Sequence, residues 1–283
     1  MRLSAETLSA KVPGSSPALM HWVQNQLAVG LQPATLQASL EKAGWSPSIA
    51  QQALAACLQT PPPAMTAMPE PNLAQHTSTI DVGDCHVQVL LSMHNPRLVL
   101  FGNVLSDAEC EDIIAHARPA MARSRTVATQ TSGQEITPNR TSSGMFYTRG
   151  QTPTVTKLEA RIAKLLNWPV ENGEGLQVLN YLPGAQYKPH HDYFNPQEPS
   201  SAAILQRGGQ RLGTVVIYLN DVPAGGCTYF PETQLRIHPR KGHALFFSYP
   251  QPHADTRSLH GGDPVIEGEK WIATKWLREG EFR

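Results

Sequence analysis

Tyr187-Lys188-Pro189-His190-His191-Asp192-Tyr193-Phe194 is the stretch that decides the fold. Side chains two apart in an extended strand point the same way, so His190 and Asp192 can grip one metal ion from one face, while His191 faces away. Alone, such a pair on a strand is commonly a solvated edge. Its partners lie further on: His260, in Leu259-His260-Gly261, can close a triangle from another strand. His243 and His253 compete for that place, but His260 alone is followed ten residues later by Lys270. Two imidazoles and one carboxylate on one face of a metal leave the opposite positions open, which implies redox chemistry.

Around these residues the chain reads as short strands between turns: Leu176 to Tyr181, Tyr187 to His191, Leu212 to Asn220, Gly226 to Phe230, Gln234 to His238, Ala244 to Tyr249 and Glu269 to Leu277. That spacing predicts a β-sandwich or barrel. In the last strand, alternation puts Lys270, Ile272 and Thr274 on one face, and a buried ammonium there needs an anion. Upstream, Cys85 to Leu91 and Leu98 to Phe101 read as strands, Ser106 to Arg118 and Thr154 to Leu166 as helices, and Gln130 to Asn139 as a polar loop. Helices first and strands afterwards give an α+β class: a double-stranded β-helix, or jelly-roll, buttressed by helices.

Residues from about 17 to 58 predict a small three-helix unit, punctuated by Gly30, Gly44 and the N-cap pair Ser46-Pro47. The run Leu40-Glu41-Lys42-Ala43-Gly44-Trp45 resembles compact folds of the ubiquitin-associated (UBA) type. Pro61-Pro62-Pro63, Pro69 and Pro71 then predict a semi-rigid linker. The expected organisation is residues 1–60 as a helical accessory domain, 61–80 as linker and 81–283 as the main domain, with its jelly-roll core at about 174–279. Held near the main site by the linker, the helices could recruit a protein partner.

The 283 residues carry 23 Lys plus Arg against 23 Asp plus Glu, with a pI of about 7.2. That balance offers no footprint for nucleic acid or an anionic membrane. Four scattered cysteines, Cys57, Cys85, Cys110 and Cys227, form no C-x-x-C pair and suit a reducing compartment. No stretch approaches the ~20 apolar residues that span a bilayer, and the N-terminus lacks a signal-peptide core, so a soluble, cytoplasmic protein is expected.

From about residue 97 onward the chain resembles the prolyl 4-hydroxylase branch of the Fe(II)- and 2-oxoglutarate-dependent dioxygenases. The resemblance rests on Gln177-Val178-Leu179-Asn180-Tyr181 with Pro183-Gly184, on the opening stretch, and on Gly208-Gly209-Gln210-Arg211. It continues through Tyr218-Leu219-Asn220-Asp221, Gly225-Gly226-Cys227-Thr228-Tyr229-Phe230-Pro231, Pro239-Arg240-Lys241-Gly242, and Ser258-Leu259-His260 to Trp276. It implies that His190, Asp192 and His260 bind Fe(II), that Lys270 pairs with the C5 carboxylate of 2-oxoglutarate, and that Tyr181 and Thr228 hydrogen-bond the same group. By the same resemblance Tyr187 and Arg211 line the substrate pocket, and residues 122 to 149 close over a bound peptide.

The implied reaction uses O2, releases succinate and hydroxylates a prolyl residue in a protein or peptide, with ascorbate as reductant. Two positions depart from the family's common pattern: Cys227 stands where glutamate is usual and Asp263 where cysteine is usual. Two alternatives stay open: the same chemistry on another side chain or a free amino acid, and a catalytically silent peptide-binding module.

Overall fold

The computed structural model describes residues 5–28, 32–59, 67–73, 77–123, 126–127, 134–135, 139–195, 198 and 201–283. They form two compact units, Met1–Ala67 and Met68–Arg283. The first holds the three expected helices, Pro17–Ala28, Pro33–Lys42 and Pro47–Gln59, each opening on a proline whose missing N–H costs nothing there. Ser16 and Ser46 accept from the backbone N–H groups of Leu19 and Ile49, at 3.1 and 3.3 Å. A fourth helix, Ala5–Lys11, corrects the three-helix expectation. Two turns are too short to show apolar periodicity, but they bury Leu8, and Val12 just beyond, against Met20, Leu36 and Leu54.

The expected linker is also shorter than its proline content suggests. The second unit begins at Met68, and Met68 and Leu73 pack on its core. The Glu70 N–H donates to the Leu166 carbonyl at 2.9 Å, and its carboxylate pairs with Arg97. Thr79–Asp81 is already a strand.

A nine-stranded antiparallel sheet dominates the second unit, in the order Thr79–Asp81, His86–His94, Arg97–Gly102, Ala244–Ser248, Arg211–Tyr218, Lys270–Arg278, Leu176–Tyr181, Ser143–Tyr147 and Ala122–Arg123. A second sheet runs Leu235–Ile237, Thr228–Phe230, His260–Gly262, Tyr187–His190. Period-two alternation divides the large sheet's side chains between two cores. Val215, Ile217, Trp271 and Ala273 meet the helices Asp107–Ala117 and Pro153–Leu166 through Ile113, Leu158 and Ile162. Val216, Tyr218, Leu179 and Ile272 instead meet Phe230 and Ile237 of the small sheet. This is the jelly-roll with its helical buttress; each fully buried large apolar side chain contributes ~1.5–3 kcal/mol.

Two charge networks fasten the buttress. Lys275, from the central strand, meets Glu159 of the helix with both side chains buried. Arg161 bridges Asp84 and Glu109, and Glu109 also completes a capping box with Ser106. Within the segment expected to be a loop, Gln134–Glu135 pairs with Thr126–Val127, while residues 130–133 and 136–138 lie outside the described residues. A short helix, Ser201–Leu205, was not anticipated. No helix among the described residues is long and apolar enough to cross a membrane, and the four cysteines are unpaired.

Candidate metal centre and anion pocket

The small sheet builds the metal triangle. Its strands Tyr187–His190 and His260–Gly262 are antiparallel neighbours in a register that sets His190 opposite His260. The first strand ends at His190, so Asp192 arrives from the turn beyond it, not from the strand as the two-residue spacing suggested. One ligand atom from each of the three residues lies within 4.8 Å of the others. Asp192 Oδ1 is 3.6 Å from His190 Nε2, and Oδ2 is 3.6 Å from His260 Nε2.

Both imidazoles are turned by the same device. His190 Nδ1 lies 2.9 Å from the Lys188 carbonyl, and His260 Nδ1 lies 2.9 Å from the Ser258 carbonyl. A carbonyl only accepts, so each Nδ1 carries the proton and each Nε2 presents a lone pair to the triangle. Burial pushes His190 down to about 3 and keeps it neutral. Burial alone would raise Asp192, but the Arg211 guanidinium and the Thr214 hydroxyl favour its charged form, and the net shift is downward, so it stays a carboxylate. Two lone pairs and one carboxylate converging in a buried pocket fit a divalent metal with open positions.

The large sheet supplies the other end. Lys270 pairs in register with Tyr181, and Lys270, Ile272 and Thr274 line the pocket together, as alternation requires. Lys270 is 3% exposed, and no acceptor among the described residues bonds its Nζ. The rings of Tyr181 and Tyr218 stand at 5.6 and 5.9 Å instead. Burial depresses this ammonium to about 8. Thr228 lines the same end, and the Tyr218 hydroxyl donates to its Oγ1 at 2.9 Å, leaving the Thr228 proton to point elsewhere. A buried cation with hydroxyls nearby fits the carboxylate of a small dicarboxylic acid.

Of the other expected site residues, Tyr187 lines the pocket and stacks on His190 at 3.6 Å. Arg211 is not among the lining residues. Its guanidinium takes both oxygens of buried Glu174, at 2.6 and 2.9 Å, lies 3.9 Å over Trp276 and donates to the Asp192 carbonyl at 3.3 Å. It thus braces the metal-bearing turn from behind. His191 stacks on Tyr193, outside the pocket.

Cys227 meets His238 at 3.3 Å, and Asp263 meets Arg236 at 3.1 Å. Arg140 is a pocket residue that sequence reasoning missed. It lies over the Tyr187 ring at 4.9 Å and donates to Gln177, and nothing in the polar segment around it marks it out. Thr214 did carry a signal, as a hydroxyl in the apolar run Leu212 to Tyr218.

Comparison with known proteins agrees with this geometry. Residues 176–278 match the family described as the 2OG-Fe(II) oxygenase superfamily. Prolyl 4-hydroxylase 5 of Arabidopsis thaliana is 41% identical over 209 residues, 66% of this chain and 70% of that protein. Probable prolyl 4-hydroxylase 3 of the same plant is 39% identical over 222 residues, 71% of this chain and 75% of that protein. Among solved structures, the viral collagen prolyl hydroxylase from Paramecium Bursaria Chlorella virus-1, in its 2OG complex, matches with a TM-score of 0.50 and 27% identity, over 64% of this chain and 94% of that one. The chain belongs to the prolyl 4-hydroxylase-like 2OG-Fe(II) oxygenases.

Proposed function

We propose that the protein is an Fe(II)- and 2-oxoglutarate-dependent dioxygenase that hydroxylates a prolyl residue in a protein or peptide. One observation carries the proposal: a metal triangle whose imidazoles are already turned inward shares a pocket with a buried lysine that has no anion bonded to it among the described residues. Iron, 2-oxoglutarate and O2 supply the oxidation of a C–H bond, with succinate and carbon dioxide released and ascorbate as reductant. His190, Asp192 and His260 hold the iron. Lys270 pairs with the C5 carboxylate, and Tyr181 and the free proton of Thr228 complete its hydrogen bonds. That anchorage sets the length of acid the pocket accepts.

Tyr187 and Arg140 form the wall on which the substrate rests; of the 122–149 segment expected to close over it, residues 124–125, 128–133 and 136–138 lie outside the described residues. Arg211 serves this site as a brace behind Asp192. The N-terminal unit is read as a recruitment module, and the unpaired cysteines fit the cytoplasm.

Anaerobic addition of Fe(II) and then 2-oxoglutarate should give a weak visible charge-transfer band that Asp192→Ala abolishes. Aerobic incubation with a proline-rich peptide should yield 4-hydroxyproline by mass spectrometry. A band without hydroxyproline, accompanied by an oxidised free amino acid, would transfer the chemistry to a small molecule; no band from folded protein would leave a binding module.

A further inference from the structure

Asp192 Oδ2 accepts a hydrogen bond from the Thr214 hydroxyl at 2.7 Å, and Thr214 Oγ1 lies 2.8 Å from the Tyr249 hydroxyl. The carboxylate only accepts, so Thr214 has spent its proton on Asp192 and Tyr249 must be the donor to Thr214. The chain therefore has one direction, from Tyr249 through Thr214 to Oδ2. Thr214 and Tyr249 are both fully buried, and the Tyr249 hydroxyl bonds nothing else among the described residues. Thr214 sits mid-strand opposite Phe247 and Trp276, between Gly213 and Val215, where a β-branched apolar residue would fill the same space without a hydroxyl to satisfy. Two buried hydroxyls aimed in series at one carboxylate oxygen are more than core packing requires.

A free carboxylate can offer a metal either oxygen, or both. Each oxygen stands 3.6 Å from one imidazole Nε2, Oδ1 from His190 and Oδ2 from His260, but Oδ2 already accepts from Thr214 whereas Oδ1 has no hydrogen-bond partner among the described residues. Arg211 meanwhile holds the Asp192 carbonyl, so main chain and side chain are restrained separately. We propose that Thr214 and Tyr249 are positioning residues whose hydroxyl relay restricts Asp192 to a single coordinating oxygen, Oδ1. His190, His260 and Asp192 Oδ1 would then hold a metal by three donors in all, and its remaining positions would be left for a 2-oxo acid and O2. A carboxylate free to rotate and chelate would fill the position the reaction needs. The inference rests on the iron-site reading above.

The test uses the full chain, stripped of metal and titrated anaerobically with Co(II), whose visible absorption reports both occupancy and coordination number. Thr214→Val should weaken Co(II) binding ~10–100-fold, the usual loss when a ligand's hydrogen-bond partner is removed, and shift the absorption toward a different coordination number. Tyr249→Phe should weaken it by about threefold or more, since it polarises the bond without making it. Thr214→Ser, which keeps the hydroxyl and loses only a methyl, should bind within about twofold of wild type, a rescue that a purely structural role for Thr214 does not provide.

If wild type binds and Thr214→Val matches it in affinity and spectrum, the relay is overturned; so it is if Thr214→Ser is as weak as Thr214→Val. Should the valine variant fail to fold, unchanged binding by Tyr249→Phe overturns it. Failure of folded wild type to bind Co(II) or Fe(II) strikes instead at the iron-site reading.

Discussion

The two ends of one pocket are finished to different degrees. At the metal end the three ligand residues are held from behind: each imidazole Nδ1 has a carbonyl, and Asp192 has Thr214 on its side chain and Arg211 on its main chain. At the other end Lys270 has two ring faces and, among the described residues, no bonded anion. Hydrogen bonds fix the direction of lone pairs, so a metal site gains from being complete before the ion arrives. An anion site gains from being left short, because the free energy of satisfying a buried ammonium is then released on binding. Preorganisation at one end and a withheld partner at the other are two ways of making a ligand fit.

The sharpest way to break this contrast is at the metal. Asp192→Ala should abolish the Fe(II)/2-oxoglutarate band and cut succinate formation by more than the ~100-fold that loss of an outer partner costs. Retained turnover would remove Asp192 from the site. Next comes the lysine: Lys270→Met should weaken 2-oxoglutarate binding about 10–100-fold, as measured by titration of the same band, while leaving metal affinity nearly unchanged.

The same substitution should raise stability. Lys270 falls to about 8 in the fold against about 10.4 in an unfolded chain, so between those values the unfolded state binds more protons and stability rises with pH. The penalty is complete below about pH 8 and relieved above about pH 10. Lys270→Met should therefore gain on the order of 1–3 kcal/mol in urea unfolding at pH 7 and little at pH 10. A loss at pH 7 would mean that the ammonium is already satisfied. In wild type, 2-oxoglutarate affinity should decline as pH rises past about 8, because the neutral amine cannot pair with a carboxylate.

Arg211→Leu sharpens the comparison from behind the metal end. It leaves Glu174 with Arg278 alone and should cost about 2–3 kcal/mol in urea unfolding. Intact stability with only a raised KM for peptide would return Arg211 to the substrate wall. The smallest effect is expected at Cys227, where serine can still meet His238: Cys227→Ser should change stability by less than about 1 kcal/mol and 2-oxoglutarate affinity by less than about twofold.

The sequence by itself determined the jelly-roll strands, the donors His190, Asp192 and His260, and Lys270, because strand periodicity and the donor chemistry of His and Asp are local properties, although Asp192 reaches its place from a turn and not by strand alternation. It also located the three longer helices of the first unit, through their prolines and apolar spacing. It overlooked Ala5–Lys11, too short to show a period, and took residues 68–73 for linker, because composition does not report that Met68 and Leu73 find a core or that Glu70 finds Arg97.

Only the tertiary structure decided what each polar residue does. Arg211 turns from the pocket to Glu174, 37 positions away, Arg140 enters it, and Thr214 and Tyr249, 35 positions apart, meet behind Asp192. The physical reason is range. Periodicity fixes which face a side chain takes, but whether a buried polar atom is satisfied depends on partners that strand pairing brings from far along the chain.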